Sequence, residues 1–502
     1  MLGIGKVENM DPPARDAAKM AEQGEATTVV AKACDDVQDR MDGAGAGDTA
    51  AAGPRGATHG RRGLALALLT AIYTLSFVDR QIVNILAEGI KRDLGLSDAQ
   101  IGLISGLSFA LLYATLGIPV ARMAERRNRV RIIAVAVSVW SAFTIACGFA
   151  RSVSHLFFAR LGVGVGEAGS TPPSHSLIAD YYPLERRASA LAIYSLGIPI
   201  GTMLGAMIGG IAMHYVGWRG AFVIAGAPGL LIAAVAPFLI PEPRSARGFP
   251  VGGPSSFAFW RAARTLFAIP SFLFLVASMT LFSFYGYTSA VFSASFIFRN
   301  HGPELASWSR ALTAVTSLDI GASGTLGLVF GVLPGVAGLA GTLLGGRLAD
   351  RLGRARREAY VEVPAVGLLL CCAAYWASLF ASTLGLVLLF TMLSFVTGSM
   401  IFGPVYATIQ SIVPPTLRAT ASGVALLIVN LVALGTGPLI VGVISDALRP
   451  AFGDAMGLTL ALCVGSSTLV FAALALWCAR RSIAEDIDCA HGTGADAGMP
   501  IR

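Results

Sequence analysis

The stretch "ARLGVGVGEAGSTP", residues 159–172, can be read into two incompatible folds. Its inner six residues, GVGEAG from Gly164 to Gly169, fit the G-x-G-x-x-G template of a dinucleotide-binding loop. Such a loop needs a short strand before it, a helix opening at the glycines and a soluble βαβ setting. Here the six residues lie midway along an apolar run, residues 154–177, with Glu167 inside it. The stretch is therefore read as part of a membrane-crossing helix. In that reading Gly162 and Gly166 let a neighbouring helix come close, and Gly164 clears space beside Glu167.

The rest of the chain agrees with a membrane reading. Of 502 residues, 55% are hydrophobic and 13% charged, and the mean hydropathy is +0.68. This composition excludes an ordinary soluble enzyme. From Leu64 the sequence falls into twelve apolar stretches, each long enough to cross a hydrocarbon core of about 30 Å as a helix. They cover 64–87, 100–121, 130–149, 154–177, 188–213, 219–240, 271–298, 323–346, 360–381, 384–411, 419–444 and 456–479. The Pro/Gly/Arg-bearing connector "PEPRSARGFPVGGPSS", 241–256, separates them into two sets of six. The expected organisation is a disordered cytosolic tail (1–62), a six-helix bundle (63–240), a cytosolic linker (241–268), a second six-helix bundle (269–480) and a cytosolic tail (481–502). The first tail lacks the apolar core of a signal peptide close to its start.

Arginine placement orients the chain. Arg122, Arg126, Arg127, Arg129 and Arg131 follow span 2; Arg244, Arg247, Arg261 and Arg264 lie in or beside the connector. Arg347, Arg351, Arg354, Arg356 and Arg357 follow span 8, and loops of the other parity are sparser in basic residues. The positive-inside rule then places both termini in the cytoplasm. The loops also repeat: "ARMAERRNRVR", 121–131, after span 2 is echoed by "GRLADRLGRAR", 346–356, after span 8, and "YPLERRASA", 182–190, by "VPPTLRATA", 413–421. Two like-oriented repeats related by an axis along the membrane normal would give this pattern.

At this point the chain resembles the major facilitator superfamily. The loop signature of that family, a Gly, then Asp-Arg, then Gly-Arg with more basic residues, stands nearly intact as "GGRLADRLGRARR" at 345–357. The first copy departs from it, with Glu125 in place of the Asp and Asn128 in place of the second Gly. "FVDRQ" at 77–81, residues 159–172, "IADYYP" at 178–183 and "GIPIGTMLGAMIGG" at 197–210 are similar to the spinster-like branch. The resemblance implies an all-α integral membrane protein of twelve helices in two pseudo-symmetric bundles. It also implies a secondary transporter working by alternating access on a small organic or amphipathic lipid-like solute. By the same resemblance Asp79, Arg80, Arg160 and Glu167 are proton-coupling and cavity charges, and Glu125, Arg126, Asp350, Arg351 and Arg354 form a cytoplasmic gate. It further implies that the region of span 5 packs the two halves together.

A separate physical argument rests on charge. Asp79 and Arg80 fall inside span 1, Arg160 and Glu167 inside span 4. Each charge at bilayer depth costs about 2.5 to 3.5 kcal/mol, so four without partners would cost on the order of 10 kcal/mol. They are expected to be paired or to face a wet cavity. Residues seven apart on a helix are offset by only about 20°, so Arg160, Gly164, Glu167 and Thr171 form one polar seam. Asp79 and Arg80, about 100° apart, are expected to meet different neighbours. A carboxylate in a low-dielectric cavity holds its proton more tightly and a nearby arginine loosens it again, so moving the arginine moves a proton. A static salt bridge joining spans 1 and 4 is the competing account.

The second half has no charge near mid-membrane; its polar content is Ser, Thr, Tyr, Gln410 and Asn430. Tyr285, Tyr287 and Asn430 are the candidates there for a substrate cavity. Gly201, Gly205 and Gly209 step by four along span 5 and form a flat strip for helix packing. The cysteines show no C-x-x-C pair, and His155, His175 and His214 stand singly near helix ends, so no metal site, cofactor or enzymatic cluster is expected. Expected partners are the substrate, protons and the bilayer of a bacterial inner membrane, with no nucleic acid and a monomeric state. A non-transporting membrane sensor on the same fold is the alternative.

Overall fold

The computed structural model describes residues 59–182, 184–243, 264–413 and 417–490. The tail 1–58, most of the connector and residues 491–502 lie outside the described residues, as do the side chains of Glu125 and Arg126. Among the described residues every regular element is a helix. Eight segments are long and apolar enough to cross a membrane. Two of these, 189–239 and 420–479, run through a glycine with positive φ, Gly217 at 68° and Gly453 at 80°. A side chain at such a φ would crowd its own backbone, so glycine is the residue that lets the chain turn there.

Contact register shows that the turn at Gly217 is a reversal. The glycines at 197, 201, 205 and 209 meet residues 73–74, 74–77, 78–81 and 82–85 in ascending order, so this helix runs parallel to the first. Beyond Gly217 the order inverts: a Cβ on Gly148 would meet Arg219, and those on Gly226 and Gly229 would meet Ser141. Two further passes complete the set: 98–126, which stays helical through a π-helical turn, and 153–181, which is broken between Glu167 and Thr171. Together they make twelve. The passes are α1 (His59–Leu94), α2 (98–126), α3 (Arg129–Gly148), α4 (153–181), α5 (184–216), α6 (218–239), α7 (Pro270–Asn300), α8 (Gly321–Gly353), α9 (Ala359–Leu379), α10 (384–411), α11 (418–452) and α12 (454–479).

The breaks have chemical causes. In α4 the helix Val153–Glu167 ends and Thr171–Tyr181 begins afresh. Pro172 and Pro173 carry no amide hydrogen, so they cannot return bonds to Ala168 and Gly169, and Gly169 and Ser170 close tighter turns on Gly166 and Glu167 instead. Its counterpart α10 breaks at Met400 and Ile401, ahead of Pro404. The passes α2 and α11 each carry a π-helical turn, Leu103–Leu107 and Val429–Leu434.

The two bundles meet along small residues. Where α2 crosses α11, a Cβ on Gly102, Gly106 or Gly442 would fall on the backbone of Pro438, Leu434 or Asp98. The two π-helical turns therefore lie against each other. Where α5 crosses α8, Gly210 faces Ser323 and Gly327 faces Ala206. The strip Gly201, Gly205 and Gly209 packs on α1 within the first bundle instead, so the expected interface role falls to Ala206 and Gly210. The outer surface is apolar where lipid would lie, with Phe238 88% and Leu231 70% exposed. A short helix Ile483–Ala490 after α12 docks on the start of α7 through Asp486 to the Ser271 amide at 3.1 Å.

Candidate functional site

The first bundle places four charges at mid-depth, two acids and two arginines; three are buried and the Arg80 side chain is 20% exposed. Asp79 and Arg160 are each 2% exposed and Glu167 is 1% exposed. Glu167 Oε2 accepts bonds from Arg80 Nε and from Ser76 Oγ, each at 2.7 Å, and Arg80 Nη2 lies 2.7 Å from the same oxygen. The Arg80 guanidinium also sits 4.7 to 4.9 Å from the ring centres of Phe77, Phe109 and Tyr113. A weakly hydrated guanidinium among ring faces gains cation–π attraction that partly offsets its desolvation. Asp79 Oδ2 accepts from Thr144 Oγ1 at 2.9 Å. Arg160 Nη1 donates to the Asp79 main-chain carbonyl at 3.4 Å, and its guanidinium lies 5.6 Å from the Phe109 ring centre.

Three buried atoms of this group have no hydrogen-bond partner among the described residues: Asp79 Oδ1, Glu167 Oε1 and Arg160 Nε. Buried polar atoms are normally satisfied, so an orphan on each acid is unusual for a purely structural ion pair. Asp79 and Arg80 do meet different neighbours, as their 100° offset requires: one turns to α3, the other to α4.

The seam along α4 is only partly realised. Glu167 closes one helix and Thr171 opens the next, and Thr171 and Ser174 lie near the Tyr194 hydroxyl. The proline-induced break takes Thr171 off the row of Arg160 and Glu167. Gly164 packs on the Phe109 backbone, so it brings α2 close rather than opening space.

In the second bundle Tyr287 and Asn430 come together, the hydroxyl donating to Asn430 Oδ1 at 3.0 Å. Tyr287 packs against the core of the first bundle and faces Arg80 electrostatically. Tyr285 does not line this region. It is 6% exposed, bonded to Ser394 at 2.8 Å and set edge-on to Tyr375 at 4.9 Å, within the core of the second bundle. The two tyrosines are two residues apart on α7, about 200° around the helix, so only one can face the centre.

At the face that carries the connector, the ion pairs seen among the described residues join parts of the same half of the chain. Arg129, fully buried, bonds Glu242 at 2.5 Å and Asp180 at 2.7 Å. In the second bundle Glu362 bonds Arg480 at 2.9 Å and Arg356 at 3.3 Å. Asp350 is exposed and accepts from the Tyr360 hydroxyl of its own bundle at 2.9 Å, and Arg351 and Arg354 are exposed beside it.

The opposite face carries a cluster that sequence reasoning missed, and it joins the bundles. Arg299 of α7 bonds Asp98 at 2.8 and 2.9 Å and Glu88 at 3.0 and 3.1 Å. Lys91 bonds Asp98 at 2.8 Å and Asp454 at 3.2 Å. Asp446 of α11 accepts from the amides of Asp98 and Ala99 at 3.0 and 2.8 Å, so the second bundle caps the N-terminus of α2 in the first. Asp98 and Arg299 side chains are 3% and 4% exposed. The spacing Glu88, Lys91 at the end of span 1 was the available signal, since i, i+3 residues share a helix face.

Two bundles of six helices, joined along α2–α11 and α5–α8 with charge buried at mid-depth, define a polytopic membrane transporter. The chain belongs to the Major Facilitator Superfamily, whose sequence profile matches residues 69–438, and within it is a spinster-like member. It is 35% identical over 438 residues to an MFS-type efflux pump of Mycolicibacterium smegmatis, covering 87% of this chain and 95% of the relative. It is 27% identical over 409 residues to human protein spinster homolog 1, covering 78% and 75%. Among solved structures it is similar to a bacterial homolog of the human lysosomal transporter Spinster in an inward-facing, unoccupied conformation. That likeness has a TM-score of 0.75 and 30% identity, over 86% of this chain and 99% of the other.

Proposed function

We propose that the chain is a proton-coupled secondary transporter that moves a small organic or amphipathic, lipid-like solute by alternating access, as a monomer in a bacterial inner membrane with both termini cytoplasmic. The carrying observation is the Arg80–Glu167 pair: a buried carboxylate with one oxygen held and one free, against a guanidinium enclosed by three rings.

The chemistry follows from that pair. A proton arriving on Glu167 Oε1 removes the countercharge of Arg80, and the freed guanidinium becomes a site for an acceptor group on the substrate. Loss of the proton restores the pair and expels the acceptor. Asp79, with its own free oxygen, is the second carboxylate, and Arg160 anchors α4 to the α1 backbone so that both respond together. Tyr287 and Asn430 supply polar contacts from the other bundle.

The present arrangement, shut at the Asp98–Arg299 face, is the inward-facing state, in keeping with the conformation of its 30% identical neighbour. Glu125, Arg126, Asp350, Arg351 and Arg354 form the cytoplasmic gate; Asp350, bonded here to Tyr360, exchanges that partner for the first bundle when the cytoplasmic side closes. The test is reconstitution into liposomes with an imposed pH gradient and a panel of lysophospholipids, sphingoid phosphates, sugars and organic acids. At least one class should accumulate only when the gradient is present. Equal accumulation with and without the gradient, for every solute that moves, would remove proton coupling.

A further inference from the structure

Away from the buried charges, on the outward side of the first bundle, a groove of about 610 Å³ lies between α2, α3 and α4. Its walls are Met123, Val135, Val139 and Val165, and its floor is Gly166 and Gly169. Val135 is 64% exposed, so the groove opens onto the surface that faces lipid. An apolar slot of this size in a bilayer fills with hydrocarbon, because empty space forfeits dispersion contacts and water there would find no partners.

The connector-face end of the same groove is cationic. Arg127 and Arg131 line it, both exposed, and among the described residues no ion pair holds either guanidinium. Arg129 between them is fully buried and engaged by Asp180 and Glu242, so its charge is not available to the groove. Arg131, Val135 and Val139 follow one another at steps of four along α3, a row about 12 Å long that runs from cation to hydrocarbon. That order, a guanidinium at the membrane surface and then a dry channel, is the order of a phospholipid's phosphate and acyl chain.

We propose that this groove is a binding site for an anionic glycerophospholipid of the leaflet on the connector side, its phosphate on Arg127 and Arg131 and one acyl chain along Val135 and Val139. The floor gives the site its consequence. Gly166 precedes Glu167 and Gly169 lies in the break of α4, so a bound chain supports the segment that holds the carboxylate from behind.

Native mass spectrometry of the purified full chain in detergent, with equal amounts of phosphatidylglycerol and phosphatidylcholine added, tests this. Wild type should retain phosphatidylglycerol about tenfold or more over phosphatidylcholine. R127Q/R131Q should reduce phosphatidylglycerol to the phosphatidylcholine level, and Val135→Trp, which fills the groove from an exposed position, should reduce both. Millimolar inorganic phosphate should not displace the lipid. Equal phosphatidylglycerol retention by wild type and R127Q/R131Q, no preference in wild type, unchanged retention in Val135→Trp, or full displacement by phosphate would each overturn the proposal. None of these readouts depends on transport.

Discussion

Arg80 is held by one carboxylate oxygen and three ring faces, and this concentration of partners makes its removal costly. Truncating one member of a buried pair leaves the other charged and alone, at about 3 to 5 kcal/mol. Arg80→Ala should therefore lower the melting temperature measurably more than Arg80→Ala combined with Glu167→Gln, which removes both charges; a thermal-shift series on the purified chain reads the difference. The four mid-depth charges were legible in the sequence because Asp79, Arg80, Arg160 and Glu167 interrupt apolar runs. Their partners were not. A helical repeat fixes where a side chain stands on its own helix and says nothing of what faces it, so Ser76, Thr144, Phe109 and Tyr113 went unnoticed. For the same reason Tyr285 was grouped with Tyr287, although the neighbouring packing sends one into the bundle core and the other toward Arg80.

Among the elements, α2 and α11 carry the closest approach between the bundles. A Cβ at Gly106 would strike the Leu434 carbonyl, so Gly106→Leu should separate the two π-helical turns. Transport should fall by about tenfold or more while each bundle stays folded, since overpacking of this kind costs about 1 to 3 kcal/mol and acts at one crossing. Transport rate together with limited proteolysis distinguishes that outcome from unfolding. The glycines of α5 were legible as a packing strip from their steps of four, yet their partner was misplaced: the strip meets α1, and the interface lies one residue around at Ala206 and Gly210. The break in α4 was available from Pro172 and Pro173, which end a helix by lacking amide donors, but the length of 154–177 fits one membrane crossing and masks it.

For the whole molecule, the Asp98–Arg299 cluster ties the two bundles together at the face opposite the connector. Its residues lie at helix ends, where charges are ordinary, so the sequence showed the two bundles and their repeat but not the contact that joins them. Arg299→Ala removes the bonds to both Glu88 and Asp98 across the bundles and leaves those acids buried. Spin labels at Phe149→Cys and Phe380→Cys, in exposed loops of the two bundles on that face, should then report a larger share of long distances than in the unsubstituted background. An unchanged distribution would mean that the cluster does not control the equilibrium.

Coupling is the central claim, and it is tested most directly by comparing two assays on one variant in the same liposomes. With the responsive solute, Glu167→Gln should still exchange internal for external solute when no gradient is imposed, because binding and alternation survive neutralisation of the carboxylate. It should fail to accumulate solute when a pH gradient is imposed, because no proton is carried. Accumulation by Glu167→Gln equal to that of the wild type under the same gradient would contradict the account and leave the Arg80–Glu167 pair a static brace between α1 and α4.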